Sequence, residues 1–300
     1  ALFILTVLYP FFKMGPGDSQ ACPPKPKQPM PWWGYGSFTG LVLFWILAWT
    51  RFEWFAPFQA HTFFPLWVFL ILSVNGLCFY RSRTCPLMQP GFLLLFPVSA
   101  LFWWVFEYLN RFVGNWIYTA AEYPPLEYFI LATLSFSTVL PAVESVKEYL
   151  LTFDWIKTRF KNSRPIKGLS ARAGGLFLIL SSMPVLFFLG LFPDLLFPFV
   201  WISPLGIILG FLVLLKKKHI FWGAASGDYT MVAAYALSAL VCGFFWEMFN
   251  MYSLARWEYR VPLVQAFHIF EMPLLGYAGY LPFGLECGVI IGLVKENNET

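Results

Sequence analysis

The chain has 300 residues, of which 59% are hydrophobic and 21% aromatic, while only 12% are charged. Soluble domains carry roughly 25% charged residues, so a chain this apolar cannot cover a water-facing surface and needs lipid around it. The net charge of +4 gathers into no basic stripe, which argues against nucleic-acid binding.

Residues 1–12 are apolar but short, with no clear cleavage site, and read as the end of a longer helix or a re-entrant anchor. Residues 13–34 are rich in Pro, Lys and Gly and read as an extended, solvated segment. Apolar runs long enough to cross a bilayer then recur near 38–54, 62–80, 91–110, 127–147, 174–193, 195–215, 229–251 and 270–294. The expected fold is therefore all-α, a polytopic integral membrane helical bundle with about eight transmembrane helices.

The loops give the expected orientation. Lys13, Lys25, Lys27, Arg81, Arg83, the run from Lys147 to Arg172, Lys216 to Lys218 and Lys295 place 16 of the 20 Lys and Arg on one side. By the positive-inside rule that side is cytoplasmic, which suits a multi-pass protein of the cell's inner membrane. The basic stretch 148–172 reads as a linker on the inner surface. It acts mainly as a topology determinant, and a lipid-headgroup contact is the alternative.

The linker divides two units, 35–147 and 173–300, that resemble each other. Phe63-Phe64-Pro65 answers Leu196-Phe197-Pro198, and Arg81-Ser82-Arg83 answers Lys216-Lys217-Lys218. Glu107 and Asn110 answer Glu247 and Asn250; Trp116 and Tyr118 answer Trp257 and Tyr259; Pro141 with Glu144 answers Pro282 with Glu286. Four spans per unit imply two parallel four-helix repeats related by an axis along the membrane normal.

Within this frame the carboxylates stand out, because an ionisable group in a span is costly unless it faces the bundle interior or a cavity. Glu107 with Asn110, and Glu247 with Asn250, each lie three apart on one helix face. The bland reading is a hydrogen bond that ties helices together. Trp116, Tyr118, Trp257 and Tyr259 read either as the interfacial aromatic belt or as caps over a pocket. Arg111, Arg256 and Arg260 share those loops and are expected to pair with Glu107, Glu247 or Glu258. Glu271 suits either a site or the N-terminal cap of a last span that opens with Pro273. Glu286 lies inside that span after Pro282 and is the strongest expectation for a carboxyl in a dry cavity; Glu144 is its counterpart.

The five cysteines, Cys22, Cys78, Cys85, Cys242 and Cys287, form no CxxC pair, and only three histidines occur. No metal or other cofactor is expected. Carboxylic acids among Trp, Tyr and Phe rings suit protonation of an alkene and cation–π stabilisation of the resulting cation.

An acid on a helix, then Gly-x-Trp-x-Tyr, then a helix bearing Pro and Glu resembles the membrane lycopene cyclases and the carotenoid hydratases. The match runs through Glu107, Gly114, Trp116, Tyr118 and Pro125 in the first unit, and Glu247, Trp257, Tyr259 and Pro262 in the second. Trp246-Glu247 is also similar to the Trp-Glu of integral membrane terpene cyclases. The chain departs from the cyclases in lacking an adjacent Glu pair, in its four spans per unit and in having no Gly just before Trp257. The resemblance implies an isoprenoid- or carotenoid-modifying enzyme, with Glu107, Asn110, Glu247, Asn250, Glu286, Glu271 and Glu144 as acid–base candidates. Trp116, Tyr118, Trp257, Tyr259, Trp246 and Arg256 would then contact the ligand. The partners expected are membrane lipids, an isoprenoid-like ligand and other membrane chains. Two other readings stand beside it: a structural or pigment-binding subunit of a larger complex, and a proton-coupled transporter.

Overall fold

Backbone that lies in lipid must satisfy its N–H and C=O groups within the segment, and the apolar runs accordingly fold as helices. The computed structural model describes residues 29–119, 122–166 and 171–296. Cys22, the apolar piece 1–12 and residues 13–28 of the Pro- and Lys-rich segment lie outside them; the described end of that segment departs from the extended reading, because the first helix already begins at Trp32. The chain runs through α1 (Trp32–Trp49), α2 (Phe63–Ser82), α3 (Leu95–Val113), β1 (Trp116–Thr119), α4 (Pro125–Phe136) and α5 (Val139–Leu150). It continues through α6 (Asp154–Arg159), α7 (Arg172–Phe188), α8 (Pro193–Leu196), α9 (Ser203–Leu214), α10 (Thr230–Met251) and β2 (Arg256–Tyr259). The short strands β3 (His268–Ile269) and β4 (Met272–Pro273) precede the last helix, α11 (Tyr280–Glu296).

Four stretches are long and apolar enough to cross a membrane: Phe63–Ser82, Pro125–Leu150, Thr230–Met251 and Leu274–Glu296. Two bent pairs raise the number to six. Trp32–Trp49 turns by 104° into the 3₁₀ helix Glu53–His61, and Pro193–Trp201 turns by 46° into Ser203–Leu214. The expected spans near 38–54 and 195–215 are these bent pairs, and α7 is a shorter apolar helix. Pro57, Pro193, Pro198 and Pro204 lie in or beside the bends, where each removes a backbone donor.

The bundle is organised around α5, which packs against α2, α3, α10 and α11. Every residue from Val139 to Lys147 is buried. The chain breaks between α4 and α5, and α3 closes the gap: Ser99 Oγ donates to the carbonyl of Phe136 (2.5 Å) and accepts from the N–H of Leu140 (3.0 Å). Elsewhere α7 and α9 meet through glycines, since a Cβ on Gly210 would stand 2.7 Å from the carbonyl oxygen of Gly175. The basic linker is not merely a surface strand. Ile156 and Phe160 are buried within the second hydrophobic cluster, and α6 packs on α10.

Two findings correct the all-α expectation. The Trp-x-Tyr segments are strands, and β1 pairs antiparallel with β2. The last span does not open at residue 270: β3 and β4 form a hairpin whose two-residue turn is Phe270-Glu271, with Phe270 at a φ of 56°. Glu271 therefore sits in a tight turn, and the expected helix cap gives way to a strand before the 3₁₀ turn Leu274–Gly279 and α11.

Candidate functional site: an aromatic cavity behind a two-stranded ribbon

The site is built on the ribbon. Trp116 pairs with Tyr259, Ile117 with Glu258, Tyr118 with Trp257 and Thr119 with Arg256. Trp116 opposite Tyr259 and Tyr118 opposite Trp257 are the same pair seen from either strand, so the ribbon has a local two-fold axis. Side chains alternate along a strand, so Trp116, Tyr118, Trp257 and Tyr259 share one face.

An asparagine anchors each strand to the helix before it. Asn110 Nδ2 donates to the carbonyl of Trp116 (2.8 Å), and the N–H of Trp116 donates to Asn110 Oδ1 (3.3 Å). Asn250 does the same for Trp257, at 2.8 and 2.9 Å. The side-chain amide stands in for a strand partner, and both asparagines are committed to backbone. Gly114 makes the first turn possible, with a φ of 59°. The second connection replaces it with one extra residue and Ser253, whose hydroxyl donates to the carbonyl of Phe249 (2.6 Å).

The acids sit directly behind the tyrosines. Glu107 Oε1 accepts from Trp103 Nε1 (3.1 Å), Trp116 Nε1 (3.0 Å) and Tyr118 OH (2.6 Å). Glu247 is fully buried, and its Oε1 accepts from Tyr259 OH (2.7 Å) and, in a short hydrogen bond, from Tyr280 OH. Glu247 Oε2 has no partner among the described residues. Burial first, and then the adjacent carboxylate, hold the Tyr118 and Tyr259 phenols well above the ordinary tyrosine value. Both are neutral donors at physiological pH.

The tyrosines border a cavity of about 550 Å³ whose walls are overwhelmingly apolar, while Glu107, Glu247, Asn110 and Asn250 stand behind its wall and do not line it. Trp116, Tyr118, Trp246, Arg256, Trp257 and Tyr259 all line it, joined by Trp103, Trp201, Tyr280 and Phe283. Its volume falls in the range of small-molecule sites. The rings also pack on one another: Trp103 and Trp246 lie 4.8 Å apart, and Trp116 and Trp201 5.8 Å apart.

The other candidates lie apart from the cavity. Glu286 is 1% exposed with Oε2 unpartnered among the described residues, one turn along α11 from the lining residues Pro282 and Phe283. Glu144 is held in a charge cluster, taking hydrogen bonds from Lys147 Nζ (3.0 Å), from Tyr235 OH (2.9 Å) and, in a short contact, from Lys295 Nζ. Glu271 does not line the cavity. Of the expected arginine pairs only Arg256 with Glu258, at 3.3 Å, is present among the described residues; aromatic donors take the place expected for Arg111 at Glu107. Sequence reasoning missed Tyr280, Trp103 and Trp201. Trp103 is legible in hindsight, one helical turn before Glu107, whereas Tyr280 reaches Glu247 from another helix. No cluster of His, Cys, Asp and Glu fit for a metal occurs among the described residues.

Fold and site together define a helical protein with four to six stretches long and apolar enough to span a membrane and an aromatic cavity flanked by two tyrosine–carboxyl pairs. Compared with protein families, with curated proteins and with solved structures, the chain matches none.

Proposed function

We propose that the chain takes an apolar, unsaturated isoprenoid-type lipid into the aromatic cavity and acts on it by acid–base chemistry of the cyclase or hydratase kind. The observation that carries this reading is the position of the two tyrosine–carboxyl pairs, each presenting its phenol at a cavity walled by tryptophan and phenylalanine. The reading places the protein in the cell's inner membrane with its basic loops cytoplasmic. It also takes the bundle as two parallel four-helix units, eight segments in all. The reciprocal register of β1 and β2 supports the duplication, because equivalent positions of the two units pair with each other.

The chemistry follows from the donors. A proton passes from Glu247 to the oxygen of Tyr259 or Tyr280 as that phenol gives its own proton to an alkene carbon. The tertiary cation formed is stabilised by the faces of the surrounding rings. A further double bond of the same chain attacks it, and the closing step returns a proton through Tyr118 to Glu107. Once Glu107 releases its proton to water and Glu247 takes one up, bonds and protons balance without redox change, so the product is an isomer of the substrate, or its hydrate if water captures the cation. General acid catalysis of this kind contributes about 10² to 10⁴-fold.

The test is incubation of protein in lipid vesicles with linear isoprenoid polyenes in deuterium oxide. The expected product is an isomer or hydrate carrying one deuterium at the protonated carbon. Recovery of unlabelled, unchanged polyene from every substrate tried would overturn the reading.

A further inference from the structure

The cavity has one polar corner. Thr119 and Arg256 face each other as the terminal pair of the ribbon, and both line the cavity. Thr119 Oγ1 and Arg256 Nε are buried, and neither has a hydrogen-bond partner among the described residues. An unpaired buried polar atom is costly, and two of them on one residue pair at the end of a ribbon that borders the cavity mark a place where a bound molecule supplies the missing partner.

The charge balance narrows what that partner is. Among the described residues Arg256 is the only charged one lining the cavity, and Glu258 already takes its guanidinium through one terminal nitrogen at 3.3 Å. A diphosphate would bring several negative charges to a corner with a single, largely compensated cation. A neutral oxygen fits better: it accepts the Nε–H of Arg256, and a hydroxyl can also donate to Thr119 Oγ1. Asn115 Oδ1, also buried and unpartnered, lies four residues back along the chain, about 13 Å by strand rise, too far to share that atom.

Resting on the reading of the cavity as an isoprenoid site, we infer that its ligand ends in a neutral oxygen function, a hydroxyl or carbonyl, that is held by Arg256 and Thr119. The substrate is then an oxygenated isoprenoid rather than a bare hydrocarbon or a prenyl diphosphate.

The experiment compares three probes of one chain length, farnesene, farnesol and farnesyl diphosphate, by native mass spectrometry of the full chain in detergent. Farnesol is expected to bind about tenfold more tightly than farnesene, the worth of a hydrogen bond to a charged group. Arg256→Met with Thr119→Val should erase that preference, and a cooperative thermal unfolding transition in detergent reports that the double variant is folded. Equal binding of farnesol and farnesene, tightest binding of the diphosphate, or a preference that survives the double variant would each overturn the inference while the cavity reading stands. Failure of all three probes to bind would overturn both.

Discussion

The two tyrosine–carboxyl pairs share a scaffold and differ in how the acid is held. Glu107 has three donors on one oxygen, two of them indole N–H groups, and sits beside Tyr118, a residue that is 40% exposed. Glu247 has two phenols on one oxygen, is completely buried, and keeps its second oxygen unpartnered among the described residues. At position 243, one turn before Glu247, a glycine stands where Trp103 precedes Glu107, and the space is filled by the ring of Tyr280. A Cβ on Gly243 would meet that ring at 2.5 Å. One change from tryptophan to glycine thus exchanges a fixed indole for a tyrosine from another helix. The first site becomes a rigidly held acceptor. The second becomes a two-phenol relay with an oxygen where a proton can sit without breaking an existing hydrogen bond.

The largest expected effect tests this division. Glu247→Gln keeps an acceptor for both phenols and removes the transferable proton, so turnover of a polyene should fall by about 10² to 10⁴-fold. Glu107→Gln preserves an oxygen for its three donors and should cost less, because solvent reaching the more open first site can take up the final proton. The measurement is product formed per unit time by each variant in vesicles. Equal losses would abolish the contrast, and no loss in either would return both acids to a structural role.

The asparagines give the next, smaller effect. Asn250 is fully buried, and Asn250→Ala would leave the N–H and C=O of Trp257 unpaired, costing about 1–3 kcal/mol for each group left without a partner. Asn110 is only partly buried and accepts from Trp116 at 3.3 Å, so Asn110→Ala should cost less. Thermal unfolding in detergent ranks the two. A larger loss from Asn110→Ala would mean that the first strand carries the ribbon.

What the sequence displays follows from the range of the forces involved. The spans at 62–80 and 229–251 match α2 and α10 to within two residues, because hydropathy over about 20 residues is local information. The ExxN spacing is local too, and it marks both asparagines and both acids. The ribbon is not local: Trp116 and Tyr259 are far apart in the chain, and a lone Trp-x-Tyr reads equally well as an interfacial belt. The same limit hid Tyr280. It left Glu286 and Glu144 looking like equivalents, although only Glu144 is neutralised, by Lys147 nearby and by Lys295 from another helix. The hairpin at 268–273 escaped notice for a different reason. Glu271 followed by Pro273 is also a good helix start, and only the left-handed backbone of Phe270 decides against it.

The smallest effect concerns the tyrosines and sharpens the difference in burial. The Tyr259 phenol is raised well above its ordinary value, mainly by burial and then by Glu247. A group with a raised folded-state value contributes its full stability below the unfolded value, about pH 10, and loses it as pH rises towards the folded value. The melting temperature of the intact protein should therefore fall above about pH 10 more steeply than that of Tyr259→Phe, which has no phenol to hold neutral. Tyr118→Phe should flatten the same curve as well, since burial and then Glu107 hold that phenol above its ordinary value too. Parallel curves for the intact protein and Tyr259→Phe would mean that this phenol ionises as freely in the folded protein as in the unfolded chain. The second acid would then be open to water, and its contrast with the first as a sealed relay would be lost.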